Sequence, residues 1–446
     1  MSDLHGFRFY IETFGCQMNE NDSERIAGRL AAAGALPADK VEASDLVIVN
    51  TCAVRAKSEE KLFSYLGRLK AMKKKSGLKI GVTGCIAQIY REKILERNPD
   101  VDFILGPDNY HLLPELVDRA SGPGNVRTAW SADWREEERR PVLRRSPVSA
   151  YVTIMEGCDN FCAYCVVPFA RGREKFRPMK AVLDEVRSLA DAGYREVQFL
   201  GQNVNTYRDP ESGAIFRDLL READGIEGIA WIRFITSHPK NFGPDIAEAM
   251  ARSRHICRAL HLPLQSGSTS VLERMKRGYT REEYLDKVRV LRSLMPGIAL
   301  STDIIVGYPG ETESEFADTL RALDEIRFDN IFSFRYSPRP GTAAAKLPDD
   351  VPFDVKRRRL IEVQALQKTI QTRIHQAYVG RTILVLGQGP SRKDGLVFSG
   401  RSEGHYVVNF RSDTDVVGRF VRVRVTSCGP YSLRGEVDRS GPDSVG

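Results

Sequence analysis

Tyr151-Val152-Thr153-Ile154-Met155-Glu156-Gly157-Cys158-Asp159-Asn160-Phe161-Cys162-Ala163-Tyr164-Cys165 runs from an apolar strand candidate (Tyr151–Met155) into a loop with three cysteines, at x3 and then x2 spacing. Three thiolates cannot complete a four-cysteine site, but a [4Fe–4S] cluster held by three cysteines leaves one iron open to a further ligand. A structural zinc site is the alternative. It prefers paired spacings with a second pair about 12–20 residues on, and no such pair follows. Outward from this strand the same βα step repeats. Strand candidates lie at Glu196–Leu200, Trp231–Ile235, Ala259–Leu262, Ala299–Ile305 and Ile331–Phe334, with helical patterns such as Lys180–Ala192 and Arg281–Leu294 between them. Six βα units in about 225 residues suit a parallel barrel, complete or partial, with ligands at the carboxyl ends of its strands.

Upstream, strand candidates Phe9–Phe14, Asp45–Asn50 and Leu78–Thr83 alternate with two helices. The first helix takes Asn21-Asp22-Ser23 as N-cap residues, Ile26 and Leu30 as its apolar face and Gly34 as its stop. The second starts near Ser58 and carries Leu62, Leu66, Leu69 and Met72 on one face. Its Lys73-Lys74-Lys75 reads as a solvated end favoured by the helix dipole. This order predicts a small, mostly parallel α/β domain over residues 1–125. Cys16, Cys52 and Cys85 each stand just beyond one of its strands, after Phe14-Gly15, Asn50-Thr51 and Thr83-Gly84. A parallel sheet gathers strand carboxyl ends at one edge, so the three would meet in space. The competing reading is three unrelated buried thiols. Cys257 and Cys428 have no partners in the pattern and read as structural.

Residues 126–148 read as a linker, with Ser121-Gly122-Pro123-Gly124 before it, the charged run Trp134–Pro141 within it, and Trp130 and Trp134 as candidate anchors. The barrel is expected over 149–376. After it, Thr382–Gly387, Gly395–Ser399, His405–Phe410 and Arg419–Thr426 are short β-rich runs between Gly, Ser and Asp. They predict a small all-β barrel over 377–441.

The chain has 446 residues, 42% hydrophobic and 28% charged. Length alone suggests about three domains, and the composition excludes disorder, collagen and coiled coil. No apolar run approaches the ~18 residues of a membrane span, and Met1-Ser2-Asp3-Leu4-His5 lacks the pattern of an export signal. A cytoplasmic, reduced setting is expected, in which the 8 cysteines serve metal or redox chemistry rather than disulfides. The net charge of +7 hints at an acidic partner. Walker and GxGxxG phosphate loops are absent.

The loop C-x3-C-x-aromatic-C, with Tyr164 at the aromatic position, resembles the signature of the radical S-adenosylmethionine (SAM) superfamily. Together with the upstream trio it resembles the radical SAM methylthiotransferases along nearly the whole chain. The resemblance is carried by Thr13-Phe14-Gly15-Cys16-Gln17-Met18-Asn19, Met155-Glu156-Gly157-Cys158, Cys165-Val166-Val167-Pro168-Phe169-Ala170-Arg171-Gly172, Gly201-Gln202-Asn203-Val204-Asn205 and Arg233-Phe234-Ile235-Thr236-Ser237-His238-Pro239. Gln17-Met18 resembles the branch acting on isopentenylated adenosine beside the tRNA anticodon. The sister acting on a ribosomal-protein aspartate typically has Pro-Lys there, and the sister acting on threonylcarbamoyladenosine Lys-Val. The resemblance implies a partial radical SAM barrel with two [4Fe–4S] clusters, one on Cys16, Cys52 and Cys85 and one on Cys158, Cys162 and Cys165. SAM contacts are implied at Tyr164, Gly201, Gln202, Asn203, Gln265, Ser266, Asp303 and Gly307.

The last segment resembles a TRAM RNA-binding domain. From Tyr378 to Arg439 it carries ten Lys/Arg against six Asp/Glu, in keeping with phosphate contacts. The family's usual Gly-Arg-Thr followed by acidic-Asn-Arg is here Gly400-Arg401-Ser402-Glu403-Gly404-His405. RNA contacts are expected at Arg171, Arg173, Lys175 and Arg177, interleaved with Phe169 and Phe176, and at Arg401. Lys356-Arg357-Arg358-Arg359 reads equally as a solvated helix face or an RNA contact. Implied partners are the tRNA anticodon stem-loop and a flavodoxin- or ferredoxin-type electron donor, with the enzyme a monomer and no membrane involved. The reading from another class is a non-catalytic iron–sulfur or zinc protein.

Overall fold

Three apolar runs near the N-terminus pair side by side and in parallel, as their unbroken hydrophobicity demands. In this computed structural model, residues 4–54, 56–119, 125–131, 141–391 and 395–439 are described. The first sheet contains β1 (Arg8–Phe14), β2 (Leu36–Pro37), β3 (Leu46–Thr51), β4 (Lys79–Thr83), β5 (Phe103–Leu105) and β6 (Asn125–Arg127) in the order β2-β1-β3-β4-β5-β6. All its pairings are parallel. Every residue of β3 is buried, as in a strand covered on both faces. Val47 and Val49 pack with Leu62, Leu66 and Leu69 on one side, while Leu46 and Ile48 pack with Ile26 and Leu30 on the other. The sequence did not announce β2, β5 or β6. Each has two or three residues, too few to show a period, and Asn125–Arg127 pairs with Phe103–Leu105 where a linker was expected.

The six strands expected for the central barrel are all present: β7 (Ser149–Thr153), then β10 (Glu196–Leu200), β11 (Trp231–Phe234), β12 (Ala259–His261), β13 (Ala299–Val306) and β14 (Asn330–Arg335), with β8 (Met155–Glu156) and β9 (Lys175–Phe176) forming a hairpin around the cysteine loop. They make two parallel sheets, β7-β10-β11 and β12-β13-β14, linked by a single parallel bridge between Ile232 and Ile256. The barrel is therefore partial. Its main core lies between the strands and the outer helices, where Val152, Val197, Phe199, Ile232 and Ile304 meet Leu183, Val186, Leu219, Leu291 and Leu323. Thr280 and Thr312 start two of those helices with capping boxes to Glu283 and Glu315, which satisfy backbone donors that a helix start leaves open.

The helix Phe353–Gln376 leads to a closed five-stranded barrel of β15 (Thr382–Pro390), β16 (Val397–Ser402), β17 (Val407–Arg411), β18 (Phe420–Cys428) and β19 (Leu433–Val437). The strand β19 was not foreseen. The barrel is bolted to the central domain. Arg233, 4% exposed, donates to the carbonyls of Glu403 (2.7 Å) and Ser402 (2.8 Å) and to Glu196 (2.7 Å). Tyr406 donates to Asp329, and the rings of Trp231 and Phe420 meet edge to face at 4.8 Å.

The first helix departs most from expectation. It begins at Gln17, with Cys16 as N-cap, so Asn21, Asp22 and Ser23 are interior rather than capping residues. They are buried, with Asn19 and Glu24, against the central domain and the chain that enters it. Thr153 donates to Asn21 (2.8 Å), Tyr151 to Glu20 (2.9 Å), Arg25 to Glu156 (3.0 Å) and the backbone of Arg145 to Glu24 (3.0 Å). Gly28 is required there, since a Cβ would lie 1.9 Å from the carbonyl oxygen of Pro141. Trp130 does act as an anchor, its ring covering Gly172. Trp134 and the charged run to residue 140 lie outside the described residues.

Candidate metal centres

β1, β3 and β4 end together at the carboxyl edge of the first sheet, and each hands on to a cysteine within two residues. Cys16 Sγ donates to Asn19 Oδ1 at 3.5 Å, and Cys16, Cys52 and Cys85 lie near enough to shift one another's ionisation. The Cys16 thiol is drawn down to about 6, chiefly by the neighbouring Cys52 thiol and against the effect of burial. The neighbouring Cys16 and burial push Cys52 up, and burial pushes Cys85 up. A buried amide pair sets the turns. Asn50 donates to the Asn19 carbonyl (2.8 Å) and to Ser23 (2.9 Å), and Asn19 donates to Asn50 Oδ1 (3.1 Å). Both glycines that precede cysteines lie against these amides. A Cβ on Gly15 would be 2.4 Å from Asn19 Oδ1, and one on Gly84, where φ is +87°, would be 2.3 Å from Asn50 Oδ1.

The second trio occupies the expected loop. Gly157 (φ +81°) starts it, because a Cβ there would strike the Arg173 carbonyl at 1.9 Å. Asn160 Nδ2 donates to Cys158 Sγ at 3.6 Å. Arg277 Nη1 donates to Cys162 Sγ at 3.3 Å, and His238 Nε2 lies 3.7 Å from the same sulfur. Burial, with Arg277 and Lys240 nearby, lowers His238 to about 2, so its ring is neutral. Burial raises Cys158 to about 11 and Cys165 to about 12. Crowded, buried thiols that resist ionisation suit a cationic occupant, which would stabilise the thiolates. Among the described residues no three His, Cys, Asp or Glu side chains meet the geometry for a single metal ion, so the case rests on convergence and donor chemistry.

The two trios are joined. Val166 and Ala170, just past Cys165, are buried in the core of the first domain. Arg171, 2% exposed, pairs with Asp22 and donates from Nε to Cys85 Sγ at 3.4 Å.

Unpartnered polar atoms line both sites. Thr51 and Thr83 hydroxyls, beside Cys52 and Cys85, are buried without a hydrogen-bond partner, as are Asn203 Oδ1, Asn205 Oδ1 and the Ser237 hydroxyl at the carboxyl ends of β10 and β11. Such atoms are costly unless a ligand meets them. Phe161, Thr236 and Gln265 hold positive φ in the same region, uncommon for side chains of this kind. Asn205, Ser237, His238 and Arg277 were not among the expected contacts.

The expected SAM residues divide. Asn203 presents a free acceptor. Asp303 faces His261 at 3.5 Å. Gln202 accepts from Gly157 N at 2.6 Å and so holds the cysteine loop. Tyr164 packs with Ala163, Val271, Met275 and Tyr336. Gly201 gives room to Met155, whose sulfur would be 2.6 Å from a Cβ, and Gly307 gives room to the stem of Lys356. Gln265 is fixed through its backbone, donating to Asp303 O (2.8 Å) and accepting from Ile305 N (2.9 Å). The buried Ser266 hydroxyl bonds with Thr319 and accepts from the backbone of Ser268.

The residues expected to contact RNA have partners within the chain. Arg171 is the buried clamp just described. Lys175 pairs with Asp108 (2.6 Å) across the domain junction, and Arg177 with Glu185 within the central domain. Arg173 alone of the four is largely exposed, at 73%, above the Phe161 ring and paired with Asp159 at 3.2 Å. Arg401 donates to the His405 carbonyl (3.1 Å) within the loop fastened to Arg233. In the run 356–359, Lys356 and Arg359 are buried, and Arg359 pairs with Glu311 (2.8 Å) and Glu313 (2.8 Å). These cations fasten elements together. Composition could not distinguish them from solvent-facing ones. A cavity of about 660 Å³ beside Arg25, Arg29, Arg144 and Arg177 is lined by none of the six cysteines.

Residues 8–106 match the Uncharacterized protein family UPF0004, residues 152–323 the Radical SAM superfamily and residues 376–437 the TRAM domain. A TsrM radical SAM methyltransferase from Kitasatospora setae superposes with a TM-score of 0.55 at 17% identity, covering 76% of this chain and 75% of that one, which shows a shared fold. Much nearer in sequence are tRNA-2-methylthio-N(6)-dimethylallyladenosine synthases. That of Clostridium novyi is 44% identical over 98% of this chain and 97% of its own, and that of Geobacter metallireducens 46% identical over 96% and 98%. Likeness of that depth along the whole length settles the family: the chain belongs to the tRNA-2-methylthio-N(6)-dimethylallyladenosine synthases of the radical SAM superfamily.

Proposed function

We propose that this chain methylthiolates carbon-2 of isopentenylated adenosine beside the tRNA anticodon. The observation that carries this reading is the pair of cysteine trios held in one frame, the second within a radical SAM barrel, in a chain that matches the synthases end to end. Carbon-2 of adenine has no acidic proton, so acid–base catalysis has no purchase there. When bound, two [4Fe–4S] clusters and SAM would supply the electron, the carbon radical and the methylthio group, the chemistry that cofactors bring to such reactions. The protein holds and orients. Cys16, Cys52 and Cys85 would ligate one cluster, Cys158, Cys162 and Cys165 the other. Asn203, Asn205 and Ser237 offer unmatched polar atoms to the polar groups of SAM, and Asp303 stands further along the same mouth. The substrate base must leave its stack, which costs a few kcal/mol and least in a single-stranded loop.

We take the domains as residues 1–125, 149–376 and 377–441, with 126–148 as the connection, a division in keeping with the separate sheets. We take the enzyme as a monomer served by a flavodoxin- or ferredoxin-type donor. Among the described residues no helix is long and apolar enough to cross a membrane. Mass spectrometry of tRNA nucleosides from a deletion strain, with and without this chain restored, tests the reading. Recovery of 2-methylthio-isopentenyladenosine is expected. A methylthio group found only on threonylcarbamoyladenosine or on a ribosomal protein would assign a sister activity instead.

A further inference from the structure

Each cysteine trio has one buried guanidinium on one of its sulfurs, yet the two guanidiniums are not equivalent. Arg171 donates to Cys85 Sγ at 3.4 Å and is paired with Asp22. Around that pair, Arg25 lies 3.7 Å from Asp22 and 3.0 Å from Glu156. Lys175 lies 4.0 Å from Glu156 and 2.6 Å from Asp108, so three cations face three carboxylates and the set is neutral. Arg277, 4% exposed, donates to Cys162 Sγ (3.3 Å), to the Pro263 carbonyl (2.9 Å) and to Tyr279 Oη (3.0 Å). Tyr279 in turn donates to the carbonyls of Leu264 (2.8 Å) and Pro263 (3.1 Å). Every one of these partners is neutral apart from the sulfur, and among the described residues Arg277 makes no ion pair.

We infer that Arg277 is a positioning and charge-setting residue that makes the cluster at Cys158, Cys162 and Cys165 the more readily reduced of the two, while Arg171, neutralised by Asp22, ties the first trio in place without that effect. The inference rests on the reading of both trios as [4Fe–4S] ligands. One-electron reduction adds a negative charge to a cluster, and a low-potential donor loses that electron. Hydrogen bonds to the sulfurs and net charge nearby set the potential, and a buried charge acts through a low dielectric. The uncompensated cation at Cys162 therefore favours entry of the electron there, beside the polar atoms assigned to SAM.

The test uses the full chain with Cys16, Cys52 and Cys85 replaced by Ala, reconstituted anaerobically and titrated potentiometrically without SAM. Arg277→Gln should keep about four irons and lower the midpoint by about tenfold in the reduction equilibrium, ~59 mV for one electron. Arg277→Lys, which keeps the charge, should recover most of the shift, as a packing defect would not. In the complementary background lacking Cys158, Cys162 and Cys165, Asp22→Asn should raise the first cluster's midpoint by uncovering Arg171. An iron-replete Arg277→Gln protein at the parent potential overturns the inference, as does a Lys variant shifted as far as Gln. If Gln fails to bind iron, the Lys variant decides by the same criterion. A parent background without iron would instead overturn the ligand assignment, a separate failure.

Discussion

The two trios differ in how they are built. Cys158, Cys162 and Cys165 belong to one loop, pinned by Gly157 and Gln202. Cys16, Cys52 and Cys85 come from three strand ends, and only the parallel sheet and the Asn19–Asn50 pair bring them together. The first site is thus a property of a domain and the second of a loop. Damage to packing should empty the first before the second, although both carry the same number of sulfur ligands.

The most drastic way to break this comparison is to remove either trio. The intact chain should bind about eight irons, and either triple Ala variant about four. The functional losses should differ. Without Cys158, Cys162 and Cys165, deoxyadenosine formation should vanish. Without Cys16, Cys52 and Cys85 it should persist while methylthiolated tRNA disappears. Iron analysis and product chromatography read both, and loss of both activities in a folded first-trio variant would reduce that domain to a scaffold.

Breaking the Arg171–Asp22 pair comes next. Arg171→Ala leaves the buried Asp22 carboxylate with only the more distant Arg25, 3.7 Å away, so a destabilisation of up to about 3–5 kcal/mol is expected. Denaturant unfolding of the apo protein measures it. A change within about 0.5 kcal/mol, typical of neutral surface substitutions, would show that the joint between the sites carries no load.

Gly84 sharpens the comparison on a finer scale. Alanine there would be strained at φ +87° and would strike Asn50 and the Thr51 carbonyl. Gly77, at φ +70° with open space around it, is the control that bears only the backbone strain of about 1–2 kcal/mol. Gly84→Ala should cost about 1–3 kcal/mol beyond that control and lower iron at the first trio selectively. Equal behaviour of the two variants would mean that the Asn19–Asn50 pair does not shape the site.

What the sequence disclosed follows the same division. The loop trio is a local pattern and was readable as such. The dispersed trio was readable because each cysteine follows a strong strand, and parallel strands end together. The central strands β7 and β10–β14 announced themselves by alternation with helices. What escaped was long-range. Nothing local marks Arg277 as a neighbour of Cys162, 115 positions away, or marks Asn21-Asp22-Ser23 as buried rather than capping. The intramolecular partners of the cations at 171, 175, 177 and 401 were hidden for that reason, since a buried arginine and a phosphate-binding one look alike until their carboxylates or carbonyls are located.

The smallest expected effect concerns a face that neither trio touches. On β18 the side chains of Val421, Val423 and Val425 point into the small barrel, so Arg422 and Arg424 point out, and Arg434 does so on neighbouring β19. All three are exposed, unlike Arg401, which fastens its own loop. Phosphate binding by a cation releases counterions, so removing one such cation should reduce the log–log salt slope of tRNA binding by roughly one unit. Replacing Arg422, Arg424 and Arg434 with Ser should flatten the slope by up to about three units and weaken binding similarly for different tRNAs. Iron content and tRNA-independent SAM cleavage should stay as in the parent. Arg401→Ser should do the reverse, leaving the slope unchanged while loosening the barrel from the central domain. Binding titrations at several salt concentrations separate the two outcomes, and an unchanged slope in the triple variant would remove this face from the RNA-binding surface.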